Sequence, residues 1–499
     1  VVGEGDLRVQ KVDLSGKPFH FIGIGGIGMS ALAHIVAQRQ LPVSGSDLRS
    51  SHITDRLAAL GVQIFDRQEA ANLTLFTTQA SDKCQPLSAL STREALQINS
   101  SVDRSQAWLP QVICSTAINS NNLEYQAALK LGCPIFHRSD LLAALISEYH
   151  SIAVSGTHGK TTTSSLIGYM LWKANLDPTI LIGGEVDAWQ GNARVGKGEF
   201  LVAEADESDG SLVKHAPSIG VITNIELDHS DRYQNIGEVV EIFHTFAEQC
   251  QTLIGCLDDP IIREDLAITI GYSLDPATGA DYTVKQVRYH GEGCQAEVWE
   301  RGVCLGELKL QLLGQHNLSN ALAAVAVGRE LKLEFATIAS ALESFSGTKR
   351  RFELRGEAQG IVFLDDYAHH PSEISVTLAA ARLRVDGSEA LQRSIAIFQP
   401  HRYSRAQTFM SEFATAFQDA DLVVVTDIYS AGENSIEGIN GEILAAEIAK
   451  HHSQVHYHPQ LNSLADFLTT EILQSGDLAI FLGAGNLNQV IPQAIELLK

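Results

Sequence analysis

A seven-residue stretch, Gly156-Thr157-His158-Gly159-Lys160-Thr161-Thr162, sets the tightest limit on what this chain can fold into. It stands between an apolar run at 152–154, expected as a strand, and a run at 164–172 with helical character. A phosphate needs close backbone approach, several converging N–H groups and a cation, and glycines followed by a lysine at a helix start supply all three. Thr161 is positioned to hold magnesium. The standard spacing G-x-x-x-x-G-K-[ST] would place a glycine where Val154 stands, so the loop is a variant. Strand, glycine turn and helix in this order belong to βαβ architecture, and 499 residues at about 100–200 per domain suggest three domains.

A second turn of this kind comes earlier. Gly23-x-Gly25-Gly26-x-Gly28 follows an expected strand at 19–24 and opens an expected helix at 29–38, and Asp47 lies 19 residues beyond Gly28. The form is that of a dinucleotide fingerprint, yet the same geometry serves any diphosphate at a helix N-terminus, so NAD, another diphosphate and a structural turn all stay open.

Strand-like runs alternate with helix-like segments over most of the chain and divide it into blocks 1–147, 148–345 and 346–499. In the second block, alternating segments at 295–299 and 307–312 suggest antiparallel strands. The third contains buried-type strands at 361–364, 395–398, 422–426 and 478–482. Residues 66–110, rich in Ser, Thr, Gln and Asn, are expected to be a surface insertion or partly disordered.

Further polar groups stand at strand ends. Glu204-Ala-Asp206-Glu207-Ser208-Asp209 closes the expected strand 200–203, and Asp228-His229 follows Thr223-Asn224-Ile225-Glu226. Carboxylate and imidazole beside a phosphate loop suit hard divalent cations; an acidic run alone is more often a solvated loop. His316, Asn317 and Asn320 precede an expected helix at 321–327, where they either cap it or contact a base. Arg350 and Arg351 precede Asp365-Asp366-Tyr367-Ala368-His369-His370-Pro371, and Pro400-His401-Arg402-Tyr403-Ser404-Arg405 follows the strand at 395–398. Arginines so placed suit bidentate recognition of phosphate or carboxylate.

Composition removes several function classes. With 36 Lys and Arg against 59 Asp and Glu, the formal net charge of −23 opposes a nucleic-acid partner. The seven cysteines are dispersed, with no Cys-x-x-Cys pair, which fits reduced thiols in a cytoplasmic protein. Without an apolar run of about 18 residues, neither membrane insertion nor secretion is expected.

Taken in order, these motifs resemble the Mur ligases, and within them the branch that adds L-alanine to UDP-N-acetylmuramate. The resemblance runs from about residue 19 to the Gly483-Ala484-Gly485 turn. It implies an α/β protein of three domains: a Rossmann-like N-terminal domain for the UDP-sugar, a central P-loop-type mononucleotide-binding domain for ATP, and a Rossmann-like C-terminal domain closing over both. It implies that Gly23, Gly25, Gly26, Gly28, Met29, Ser30, Asp47 and Ser115 receive the UDP-sugar. Gly156 to Thr162, His316, Asn317, Asn320, Arg351 and Asp366 would receive ATP, with Lys160 at the β/γ-phosphates. Thr161, Glu204 and His229 would hold magnesium, two ions in all, and Arg402 and Arg405 the alanine carboxylate. Lys160, Glu204, His229 and His369 would carry catalysis, His369 and His370 being candidates for the amine proton.

The implied reaction has the muramate carboxylate attack the γ-phosphate of ATP. ADP leaves, and the alanine amine then attacks the acyl phosphate, displacing inorganic phosphate and forming the amide. Some related ligases use a carbamylated lysine after the Asp-His motif; residues 229–256 contain no lysine, which fits the alanine-adding branch. A recycling ligase that adds a whole tripeptide to the same sugar is the alternative within the family. Outside it stand an NAD-dependent oxidoreductase, which leaves Lys160, Glu204 and His229 without a task, and a P-loop ATPase, which leaves the first and third blocks without one.

Overall fold

Short runs that are apolar at nearly every position, such as Ile219–Ile222 and Leu422–Val425, form strands buried on both faces, as a sheet covered by helices on two sides requires. The computed structural model of the protein describes residues 11–73, 109–229 and 232–499, and these build three sheets. Of the expected insertion at 66–110, residues 74–108 lie outside the described residues.

The first sheet contains β1 (Phe19–Ile22), β2 (Val43–Ser46), β3 (Gln63–Phe65), β4 (Gln111–Cys114) and β5 (Ile135–His137) in the order β3-β2-β1-β4-β5, all parallel. Strand order reverses between β1 and β4, and a crevice opens at such a switch point beyond the carboxyl ends of the strands. The first glycine turn leaves β1 there, with Ser115 directly after β4.

The central sheet has ten strands: β6 (His150–Ser155), β7 (Thr179–Val186), β8 (Gly191–Arg194), β9 (Phe200–Glu204), β10 (Ile219–Ile222), β11 (Thr252–Cys256), β12 (Ile270–Ser273), β13 (Tyr282–His290), β14 (Gly293–Glu300) and β15 (Val303–Leu310). Their order is β15-β14-β13-β12-β11-β10-β6-β9-β7-β8, with β13 to β15 antiparallel, as the alternating pattern predicts. Because β9 and β10 flank β6 in parallel, the segments after Glu204 and Ile222 meet beside the phosphate loop that leaves β6.

The third sheet, in the order β16-β17-β21-β18-β19-β20, contains β16 (Glu353–Ala358), β17 (Ile361–Asp366), β18 (Arg393–Phe398), β19 (Leu422–Val425), β20 (Val455–Tyr457) and β21 (Asp477–Leu482). Only β16 runs antiparallel to its neighbour.

One apolar core runs through the first and central sheets, since the helix Ile27–Gln38 packs on β7 and β8 as well as on its own domain. The third sheet has its own core on each face. No helix among the described residues is long and apolar enough to cross a membrane.

One expectation is corrected here. The helix Gln315–Glu330 begins six residues before the expected start, with Gly314 at its N-cap, so His316, Asn317 and Asn320 lie within it and do not cap it. Met29 and Ser30 are buried in the helix Ile27–Gln38, and Ser30 Oγ donates to the Ile27 carbonyl at 2.9 Å and accepts from Asn192 of the central domain at 3.0 Å. The Ser30 side chain thus joins the first domain to the central one.

Candidate active site

The phosphate loop is shaped by glycine at two positions, with φ of 134° at Gly156 and 81° at Gly159. A Cβ on Gly159 would stand 2.7 Å from Asn320 Oδ1. Neighbouring strands fix the loop: His158 N donates to Asn224 Oδ1 at 2.8 Å, and Thr223 Oγ1 donates to the His158 carbonyl at 2.6 Å. Lys160 starts the helix Lys160–Lys173, and its Nζ donates to the Gly156 carbonyl at 2.6 Å and to Glu207 at 3.0 Å. Burial alone would lower the Lys160 pKa, but Glu207, Asp206 and Glu204 outweigh it and raise it. Thr161 is buried at the same helix start.

Around this lysine stand the carboxylates. Burial raises the Glu207 pKa to about 7 despite the Lys160 charge. Glu204 Oε2 accepts from Gly183 N at 2.7 Å. Ligand atoms of Asp206, Glu207 and His229 lie within 4.8 Å of one another, so the tight carboxylate–imidazole cluster at these strand ends holds His229 with Asp206 and Glu207 and leaves out Glu204. Asp206 and Glu207 follow the end of β9, where the chain coils and a period-two strand pattern no longer says which side chain turns inward. His229 sits at φ 53°, and burial lowers its pKa. A non-glycine residue held in that region costs roughly 1–3 kcal/mol, a cost met mainly at functional sites.

All three domains line one cavity of about 570 Å³, to which the first contributes Gly28 and Arg138, the centre Thr157 to Thr161, Glu204, Asp206 and His229, and the third Arg351, His369, Arg402 and Arg405. A second cavity of about 220 Å³ opens on the other side of His158 and Gly159, lined by Thr162, His316, Asn317, Asn320, Arg351 and Asp366. The carboxylate of Asp366 already accepts from Phe352 N at 2.7 Å and Ala368 N at 2.8 Å, and burial raises its pKa to about 6.

Arg405, which lines the larger cavity, also has a partner within the protein. Its guanidinium is buried against Asp228 of the central domain, with Nη2 at 2.8 Å from Oδ1 and 3.1 Å from Oδ2, and the pair holds the Asp228 pKa far below the carboxylate range against its burial. Arg405 is thus a fastening between domains, and its fork is already filled. Arg402, at φ 70°, lines the cavity with Nη1 3.3 Å from Glu433.

In the first domain, Gly25 N donates to Asp47 Oδ2 at 2.8 Å. Gly23, Gly25, Gly26, Asp47 and Ser115 lie along the carboxyl edge of the first sheet and do not line the larger cavity; of that group only Gly28 does. Arg138 went unnoticed in the sequence. It follows β5 directly and reaches across the domain boundary to Asp206 at 3.0 Å and Asp209 at 3.3 Å. An arginine just past a short strand was the available signal.

His215, 1% exposed, lines the same cavity with no side-chain hydrogen-bond partner among the described residues, and burial lowers its pKa to about 4. Between pH 6.5 and 4 the unfolded chain takes up a proton here that the folded chain refuses, so stability falls as pH falls through that window. At pH 5 the loss from this one group amounts to about 2 kcal/mol. His215→Leu should lose that much less stability than the parent between pH 7 and pH 5 in urea unfolding; equal losses would show that His215 is protonated in the fold.

Comparison with known proteins adds three findings. The chain matches the model of the "Mur ligase family, catalytic domain" over residues 18–150, the "Mur ligase middle domain" over 154–328 and the "Mur ligase, glutamate ligase domain" over 350–485. It is 62% identical over 491 residues to the UDP-N-acetylmuramate–L-alanine ligase of Microcystis aeruginosa, covering 98% of each chain. Among solved structures it resembles the UDP-N-acetylmuramate-alanine ligase MurC of Thermotoga maritima with a TM-score of 0.77 and 27% identity, over 96% of this chain and 98% of that one. A murein peptide ligase from Psychrobacter arcticus shares the fold at TM-score 0.67 and 21% identity, over 97% and 99% of the two chains.

Proposed function

Because the chain belongs to the Mur ligase family, we infer that it is the ATP-dependent ligase that joins L-alanine to the carboxylate of UDP-N-acetylmuramate, releasing ADP and phosphate for peptidoglycan synthesis. The observation that carries this reading in the structure is the single cavity on which all three domains open, with a phosphate loop at its centre. A sugar diphosphate at the first glycine turn, ATP along the loop at Lys160 and alanine beside Arg402 would each be held by a different domain. Their reacting ends would converge there.

A carboxylate is a poor acyl donor until phosphorylated, and its approach to a γ-phosphate brings like charges together. Lys160 supplies positive charge at that point and closure of the third domain excludes water from the acyl phosphate. The donor set Thr161, Glu204 and His229, with Asp206 and Glu207 beside His229, suits magnesium in being mostly hard oxygen. Bound there, magnesium would neutralise phosphate charge.

His369 Nδ1 donates to the Tyr367 carbonyl at 2.9 Å, which leaves Nε2 as an acceptor, and burial lowers its pKa to about 4. Neutral at pH 7, it orients the alanine amine by accepting a hydrogen bond and takes the proton only after the nitrogen has become cationic in the tetrahedral adduct.

Phosphate release from ATP, measured with UDP-N-acetylmuramate and each amino acid in turn, tests the assignment. L-alanine should give the highest kcat/KM. Faster release with the stem tripeptide would make the chain a recycling ligase, and none with any acceptor would refute the reaction.

A further inference from the structure

A second group of metal-type ligands lies outside the carboxylate cluster, where the phosphate loop meets the third domain. His158 from the loop, Glu226 from the segment after β10 and His370 at the N-cap of the helix Pro371–Asp386 bring ligand atoms within 4.8 Å of one another. His158 Nε2 is 3.5 Å and His370 Nδ1 3.9 Å from the same oxygen, Glu226 Oε2. A tetrahedral ion with bonds of about 2.0–2.1 Å sets its ligands roughly 3.3 Å apart, so both edges need only a small contraction.

The hydrogen bonds around the group also set the tautomers a metal needs. His158 Nδ1 lies 3.2 Å from Glu373 Oε1, so its proton sits there and leaves a lone pair on Nε2. A carboxylate behind a ligating histidine is a recurring second partner in such sites. That Nε2 is buried, has no hydrogen-bond partner among the described residues and faces a carboxylate. His370, 4% exposed, has its Nδ1 3.9 Å from Glu226 Oε2, and the lone pair there now accepts a long hydrogen bond from Ser372 N at 3.4 Å, which a metal ion would have to replace. A buried imidazole nitrogen facing a carboxylate is favourable only with a cation between them. In the free protein a proton does this, since against burial Glu226 and Glu373 raise the His158 pKa to about 9.

We propose that His158, Glu226 and His370 form a site for a borderline-soft divalent transition-metal ion of the zinc type, which would tie the phosphate loop to the third domain. Two imidazoles with one carboxylate select zinc over magnesium, which prefers oxygen ligands in an octahedral shell. The charges of Glu226 and Glu373 would balance the ion. The site does not depend on the reaction assigned above. Zinc would lock the loop and the third domain together, so a reaction that needs them to separate would slow.

Zinc chloride and magnesium chloride titrated calorimetrically into nucleotide-free, full-length protein test this. A His229→Asn background removes the carboxylate cluster as a competing site, and asparagine tolerates the left-handed φ there. One equivalent of zinc should bind in that background. Adding His370→Asn, which retains an N-cap side chain, or Glu226→Gln should each weaken zinc binding at least 100-fold, with unchanged circular dichroism. Cobalt should give a tetrahedral absorption spectrum that both double variants lose. Zinc binding equally tight in either double variant, or absent from the His229→Asn protein, would overturn the proposal.

Discussion

Lys160→Ala should lower turnover by at least about 10³-fold while leaving affinity for UDP-N-acetylmuramate within a fewfold of the parent, because a charge on the transferring phosphoryl group acts in the transition state. Its pairing with Glu207 adds a second expectation. Breaking a buried ion pair usually costs roughly 3–5 kcal/mol, because a charge is left without a partner. Glu207, with its pKa already raised to about 7, can escape most of that by binding a proton. The variant should therefore fold, with a stability loss well below that range at neutral pH. Single-turnover ADP formation and urea unfolding give the two numbers. Turnover near the parent value would remove Lys160 from the mechanism.

Arg405→Ala should be the more damaging change to the fold. Asp228 is buried, and its pKa lies far below the carboxylate range because of this arginine, so it cannot take up a proton cheaply as Glu207 can. A loss of about 3–5 kcal/mol is expected, and Asp228→Asn placed on top of it should recover part. The opposite pattern, unchanged stability with a raised KM for alanine, would return Arg405 to the substrate. Denaturant midpoints and alanine kinetics on the same three proteins decide between them.

How much was legible beforehand follows from the range of each interaction. The βαβ units around Gly23 and Gly156, the antiparallel segments and the buried strands all rest on local periodicity and turn chemistry, which a sequence displays directly. Lys160, Glu204 and His229 stand at strand ends, so parallel pairing alone brings them to one edge. The pairing of Arg405 with Asp228, 177 residues away, was not legible, because a guanidinium after a strand looks the same whichever partner it has. Arg138 was missed for the same reason. The burial of Met29 and Ser30 was equally hidden, since Ser30 meets Asn192 from another domain.

The unequal sharing of cores among the three sheets has a mechanical consequence. The first and central domains are welded through the helix Ile27–Gln38, and parting them would strip oil from oil. Against them the third domain rests on a seam with polar contacts, Arg405 on Asp228, Ser372 on Glu226 and Lys349 N on the Glu185 carbonyl, with Leu227 packed into both sides and the helix Pro371–Asp386 against Gln315–Glu330. Water can replace each polar contact with its own hydrogen bonds. The connecting chain carries the left-handed residues Gly347, Arg350 and Phe352 just where the seam begins. The molecule is thus a rigid two-domain bench with a hinged jaw, and the jaw can swing without uncovering either of its cores.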